Sequence, residues 1–173
     1  MLIQNIINNA VKAGKLFVPE RVVEWEGEPR AFFMCRPLFE ALQEGRNSPI
    51  AKERQSWAEL EAAMRHFIEG GPITDDRIKQ LAPQKLEHWE MRILKPRPAL
   101  RVFGRFADAD VFIGTHVKLR KDLGDKWSQQ FEHEKLVCED HWRDAGLPVP
   151  YTAPPEFPYG SYITSNAQKK IRV

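Results

Sequence analysis

Five basic side chains and two phenylalanines between Trp89 and Lys121 fall where a strand pattern would gather them on one face. In Leu100–Phe106, Leu100, Val102 and Phe106 alternate with Arg101, Phe103 and Arg105, and successive strand side chains point to opposite faces. Trp89, Met91 and Ile93 alternate with Glu90 and Arg92; Val111, Ile113 and Val117 alternate with Phe112, His116 and Lys118. If the three strands pair as a meander, one face is a core. The other collects Arg92, Arg101, Arg105, His116 and Lys118 around Phe103 and Phe112. Cations hold phosphates and rings stack on bases, so such a face suits a nucleic acid. It also suits plain solvation, with edge lysines guarding against aggregation.

Other chemistries fit less well. His133, Cys138 and His141, with His116 as a fourth, are the residues from which a zinc site would be drawn, but their spacing matches no familiar zinc pattern. Cys138 also falls in the apolar stripe of a predicted helix, where a thiol acts as a small hydrophobe. Asp108-Ala109-Asp110 reads as a turn rather than a calcium loop, since no further ligands follow at loop spacing. There is no phosphate-cradling glycine motif and no GxSxG. No metal and no cofactor is expected.

The elements that must position the basic face are legible on either side of it. Ile3, Ile6, Ile7, Ala10 and Val11 share a stripe, so residues 2–13 read as a helix docking on this domain or on a second copy. Ala31–Cys35 has strand length, and Pro37 opens a helix with Leu38, Ala41 and Leu42 on its apolar side. Ser56 with Glu59 forms a capping box for a helix whose stripe is Trp57, Leu60, Met64, Phe67 and Ile68, ended by Gly70-Gly71. Residues 72–88 read as a polar connection with one helical turn near Asp75–Leu81. Residues 126–145 form another amphipathic helix, through Trp127, Phe131, Cys138, Trp142 and Ala145, which would join the Ser56 helix on the apolar face. From Gly146 the chain is proline-rich, extended and without a core of its own, ending in the basic Lys169–Arg172.

At 173 residues, 42% hydrophobic and 29% charged, this is enough material for one core. The net charge of +2 is too small to argue for an anionic partner, so any such case rests on local placement. Cys35 and Cys138 form no CxxC pair. No signal sequence and no membrane-length apolar run stands in the chain, and a cytoplasmic location with reduced thiols is expected.

The order of helix, glycine stop, Trp-Glu-x-Arg strand, Arg-Val-Phe strand and basic third strand resembles the RelE/HigB/ParE toxin superfamily. The matching residues are Trp57–Gly71, Trp89–Ile93, Arg101–Phe106 and Val111–Lys121. The resemblance spans residues 31–121 at most and does not reach the N-terminal arm or the segment after 122. It implies an α+β fold, a small twisted antiparallel sheet packed on helices, here flanked by an N-terminal helix and arm (1–30), an added C-terminal helix (within 31–145) and the tail (146–173). It implies mRNA cleavage in the ribosome, by attack of a ribose 2′-hydroxyl on the adjacent phosphate, and a cognate antitoxin that masks the face. Carried over by position, Arg92 and Arg101 match strand arginines, and Lys118, Arg120 and Lys121 match the basic end of the third strand. Cations would stabilise charge on the phosphate, and His116 would move the 2′-hydroxyl proton. Phe103 or Phe112 would stack on a base, with Arg120 and Lys121 binding RNA beside them. The alternative is a non-catalytic protein-interaction or nucleic-acid-binding module of a mobile element, which dimerises through its N-terminal helix or binds a partner through its tail.

Overall fold

The structure is a computed structural model and describes residues 2–19, 28–125, 128–153 and 159–168. In chain order it contains α1 (Ile3–Lys12), β1 (Leu16–Phe17), β2 (Ala31–Cys35), α2 (Arg36–Arg46), α3 (Ala51–Ile68), β3 (Ile73–Thr74), β4 (Ile78–Gln80), β5 (Trp89–Ile93), β6 (Leu100–Asp108), β7 (Val111–Leu119), α4 (Gln129–Asp144) and β8 (Ala167–Gln168). It is an α+β fold with helices packed on a six-stranded sheet of order β1-β2-β7-β6-β5-β4. The expected meander forms, with β5, β6 and β7 antiparallel neighbours. The whole sheet is mixed rather than antiparallel, because β2 runs parallel to β7 with Ala31 opposite Val111. Both faces of β2 are covered, which is why Ala31–Cys35 is an unbroken apolar run rather than an alternating one.

On one face, Leu38 and Leu42 of α2 and Leu60, Met64 and Phe67 of α3 pack on Phe32, Trp89, Met91, Val102 and Phe106. Helix α3 begins at Ala51, so Ser56 lies inside it and is not its cap. Ala-Lys-Glu-Arg-Gln is a run of strong helix formers and carries the helix back. The N-cap is Ile50, without a side-chain cap, and Ser48 just before it accepts from the Ile50 N–H at 3.2 Å and donates to Glu53 at 2.6 Å. Ser56 is buried and its hydroxyl turns back to the Lys52 carbonyl at 3.3 Å.

The expected helical turn near Asp75–Leu81 is strand β4, with Ile78 opposite Met91. Ile78 is buried in the core, and that long-range pairing overrides local preference. The tail is no loose extension. Tyr159, Tyr162 and Ile163 belong to the main core, and β8 pairs in parallel with β3. The Tyr162 hydroxyl donates to Glu87 at 2.7 Å, and Tyr159 donates to the Ile78 carbonyl at 3.2 Å. Arg30 is a buried staple for the same region. Its guanidinium donates to the carbonyls of Phe67 (3.1 Å), Gly71 (2.8 Å) and Ser165. Trp127 and the basic Lys169–Arg172 lie outside the described residues.

Helix α1 packs the centre of its stripe within the chain. Ile7 and Ala10 are buried against Ala31, Phe33, Cys35 and Ile113, together with Trp142 of α4. Ile3, Ile6 and Val11 of the same stripe are only partly buried. Helix α4 lies on the face opposite α3, not beside it: Phe131 and Cys138 pack on Phe103, which points away from the main core. The sheet face expected to be open and basic is therefore partly roofed.

Candidate functional site

The strand register arranges the candidate residues in rows across the α4 side of the sheet. Arg92 faces Arg101, which faces Lys118; in the next row Glu90 faces Phe103, which faces His116. Arg105 stands in a third row, opposite Ile113. Phe112 does not join them. The register slips between Phe103↔His116 and Gly104↔Gly114, leaving Thr115 as the extra residue of a β-bulge. The bulge inverts the alternation, so Phe112 pairs with Phe106 on the α2–α3 side and is fully buried there with Phe32 and Phe67. Phe112 is a core ring and cannot stack on a base.

The rows under α4 are buried. Phe103 has 0% exposure and stacks on the His116 ring at 5.0 Å and 8°. It too is a packing residue. The His116 Nε2 meets Glu134 at 2.8 Å and Nδ1 meets the Thr115 hydroxyl at 3.0 Å. Burial outweighs the attraction of Glu134 and pulls the imidazole down to about 4, so the ring is neutral. With both nitrogens engaged and the ring covered, His116 is not placed to take a proton from a substrate. Arg105 is equally enclosed: Nη2 donates to the Leu86 carbonyl at 2.6 Å and sits 3.7 Å from Glu139, with Trp142 against the guanidinium. Glu139 also meets His88 at 2.9 Å, and burial lowers the pKa of that imidazole. Helix α4 thus answers the basic face with its own acids, Glu134 and Glu139.

The remaining row is open at one end. Lys79 and Gln80 of β4, Glu90 and Arg92 of β5, Arg101 of β6, Arg120, and Phe131, Glu132 and Lys135 of α4 line a cleft of ≈ 240 Å³. Five cations surround two carboxylates. Arg101 is almost fully buried, and burial draws its pKa down to about 10. Glu90 is buried between two arginines, with Oε1 3.4 Å from Arg92 Nε and Oε2 3.6 Å from Arg101 Nε. Burial raises its pKa although both arginines oppose this. Glu90 Oε2 and Arg92 Nε have no hydrogen bond among the described residues. Arg120 donates to the Gly124 carbonyl at 2.6 Å and lies over the Phe131 ring. Lys118 is exposed and pairs with Glu134 at 3.6 Å; Lys121 is exposed on the short turn after β7.

Of the candidates, the structure brings Arg92, Arg101 and Arg120 together in the cleft. It places Lys118 and Lys121 outside the cleft lining, and it buries Arg105, His116, Phe103 and Phe112. Glu90 and Lys135, like Lys79 and Glu132, are charged lining residues that the sequence pattern did not single out. Glu90 had a signal, being the one acid in an otherwise basic alternation; Lys135 had none, since it is reached only through the docking of α4. Among the described residues no group of His, Cys, Asp and Glu could hold a metal ion, and His133 is exposed away from buried Cys138. No described helix is long and apolar enough to cross a membrane. No family model matches the chain, and no curated protein or solved structure matches it either.

Proposed function

We propose that the chain is a RelE-like domain that binds RNA phosphate in the Arg92–Arg101–Arg120 cleft and cleaves the strand there, with Glu90 in the proton-transfer role first assigned to His116. The observation that carries this reading is the row itself. Like charges opposite one another on neighbouring strands repel, yet Arg92 and Arg101 stand side by side and share a single carboxylate, while Lys118 beyond them is paired with Glu134. An arrangement that costs stability in the free protein is relieved when a phosphate enters.

The chemistry balances with these groups. The ribose 2′-oxygen attacks phosphorus, its proton passes to the Glu90 carboxylate, and the bond from phosphorus to the 5′-oxygen breaks. The departing oxygen takes a proton from water, and a 2′,3′-cyclic phosphate remains. Arg101 and Arg120 offset the charge that builds on the phosphoryl oxygens. A carboxylate whose pKa is raised is a stronger base than an ordinary one.

The test is cleavage of a defined RNA by purified protein, with the 2′,3′-cyclic end as product. Glu90→Gln keeps the shape and should lower the rate about 100-fold or more while RNA still binds. Arg101→Met should weaken binding itself. Undiminished cleavage by Glu90→Gln removes the assigned role, and absence of RNA binding by the intact chain removes the reading. Support for the alternative, an interaction module, is reduced by the packing of α1 and the tail into the chain's own cores.

A further inference from the structure

The cleft does not end at the sheet edge. Arg92 lines it on the α4 side and also lines a second groove, ≈ 470 Å³, between α3 and β4 on the opposite side. That groove shares Glu59, Arg77 and Lys95 with a shallow surface that continues to Pro96 and Arg97. Arg77, Lys95 and Arg97 are exposed, and among the described residues no hydrogen bond or ion pair holds their side chains. Glu59 is the one acid on this path. The edge strand between the two sides, β4, is only three residues long.

We propose that a single-stranded RNA crosses the β4 edge, with one phosphate beside Arg101 in the cleft and the following phosphates on Arg77, Lys95 and Arg97. The proposal rests on the cleft reading above and adds a second binding region that sets substrate class: a flexible strand of several nucleotides. A duplex is stiff over about 50 nm and cannot pass from one face of a small sheet to the other. Exposed cations on an edge also discourage aggregation, but that role predicts no dependence on RNA length.

The experiment measures binding of fluorescent 2′-O-methyl oligouridylates, which cannot be cleaved, at lengths of about three and about twelve nucleotides over a range of salt. The intact chain should bind the long strand at least tenfold more tightly. The triple variant Arg77→Ala, Lys95→Ala, Arg97→Ala should bring the long strand to the affinity of the short one. It should also reduce the slope of log K against log salt by about 2, from three lost phosphate contacts at roughly 0.7 each. Equal affinity for both lengths, or a triple variant that binds the long strand as before, overturns the track. The cleft reading then stands if Arg101→Met, or Arg120→Ala should the former fold poorly, weakens both lengths. If neither arginine variant affects either length, the cleft reading falls and takes the track with it. An equal loss for a duplex of the same length overturns the single-strand assignment.

Discussion

Acid should loosen the contact between α4 and the sheet through His116. The ring is neutral in the folded protein, held near 4 by burial, while Glu134 pulls the other way and His141 and Lys118 add to the depression. In the unfolded chain the same imidazole titrates near 6.5. Below that value the unfolded chain carries one more proton than the folded one, so stability falls as pH falls, by about 1.4 kcal/mol per unit. The loss levels off once the folded ring protonates too, near 4, which puts the full drop at about 3 kcal/mol. In a domain of this size that is about 6–12 °C in thermal midpoint. The assay is thermal unfolding of the wild type and His116→Gln at a series of pH values from about 8 to 4. Glutamine can still donate to Glu134 but does not titrate. The wild-type midpoint should drop toward and then below that of the variant across the window. A charged imidazolium paired with Glu134 would have a folded pKa above 6.5, and the wild type would instead gain on the variant as pH fell through it. A difference that stays flat or grows with acid refutes the reasoning.

Phe103→Ala should cost about 3–5 kcal/mol, because it empties a site filled from both β6 and α4; a base-stacking ring would lose RNA affinity with stability nearly unchanged, so denaturant unfolding beside RNA binding separates the two. Arg30→Met leaves three carbonyls without their donor and should destabilise by about 3–5 kcal/mol; a urea midpoint within error of wild type would show that the staple is unimportant. Ending the chain after Thr152 removes Tyr159, Tyr162 and Ile163 from the core at about 1.5–3 kcal/mol each. The shortened chain should bind hydrophobic dye or stay insoluble, and a cooperative unfolding transition of unchanged midpoint would contradict the place given to the tail.

Much of the frame could be read from alternation and helical spacing. The meander, the α3 stripe and the inward set Trp89, Met91, Ile93, Leu100, Val102 and Phe106 are local patterns with one period each, and all lie in the main core. Phe112 defeated the pattern because a bulge adds one residue and reverses every side chain ahead of it. A hint was present in Gly104 and Gly114, since glycine inside a strand often marks such a place. At Gly104 a Cβ would stand 2.6 Å from the Phe112 ring. The side on which α4 docks had no comparable signal. Its buried face mixes Phe131, Cys138 and Trp142 with Glu134 and Lys135, so the apolar stripe alone is compatible with either face of the sheet. The place of the tail in the core is hidden for a related reason: Tyr159 and Tyr162 have no periodic company, and their partners, Ile78 and Glu87, are far away in sequence.

Where α4 starts decides which cations can meet a ligand. Ser128 caps the helix by accepting from the Phe131 N–H at 3.2 Å, and its own hydroxyl donates to the Leu123 carbonyl. This fixes the first turn so that Phe131 comes down on Phe103, in the middle row of the sheet. The helix then runs over His116 and Arg105 and supplies each with a carboxylate. The row of Arg92 and Arg101 lies beside Phe131 and Lys135 rather than beneath the helix, and it receives only Glu90 from its own sheet. One basic face is thereby divided into a neutralised half that stabilises the docking of α4 and an under-neutralised half that opens to an edge. The division explains why His116 suits packing better than proton transfer, and why Glu90 is the one buried acid that lines the cleft.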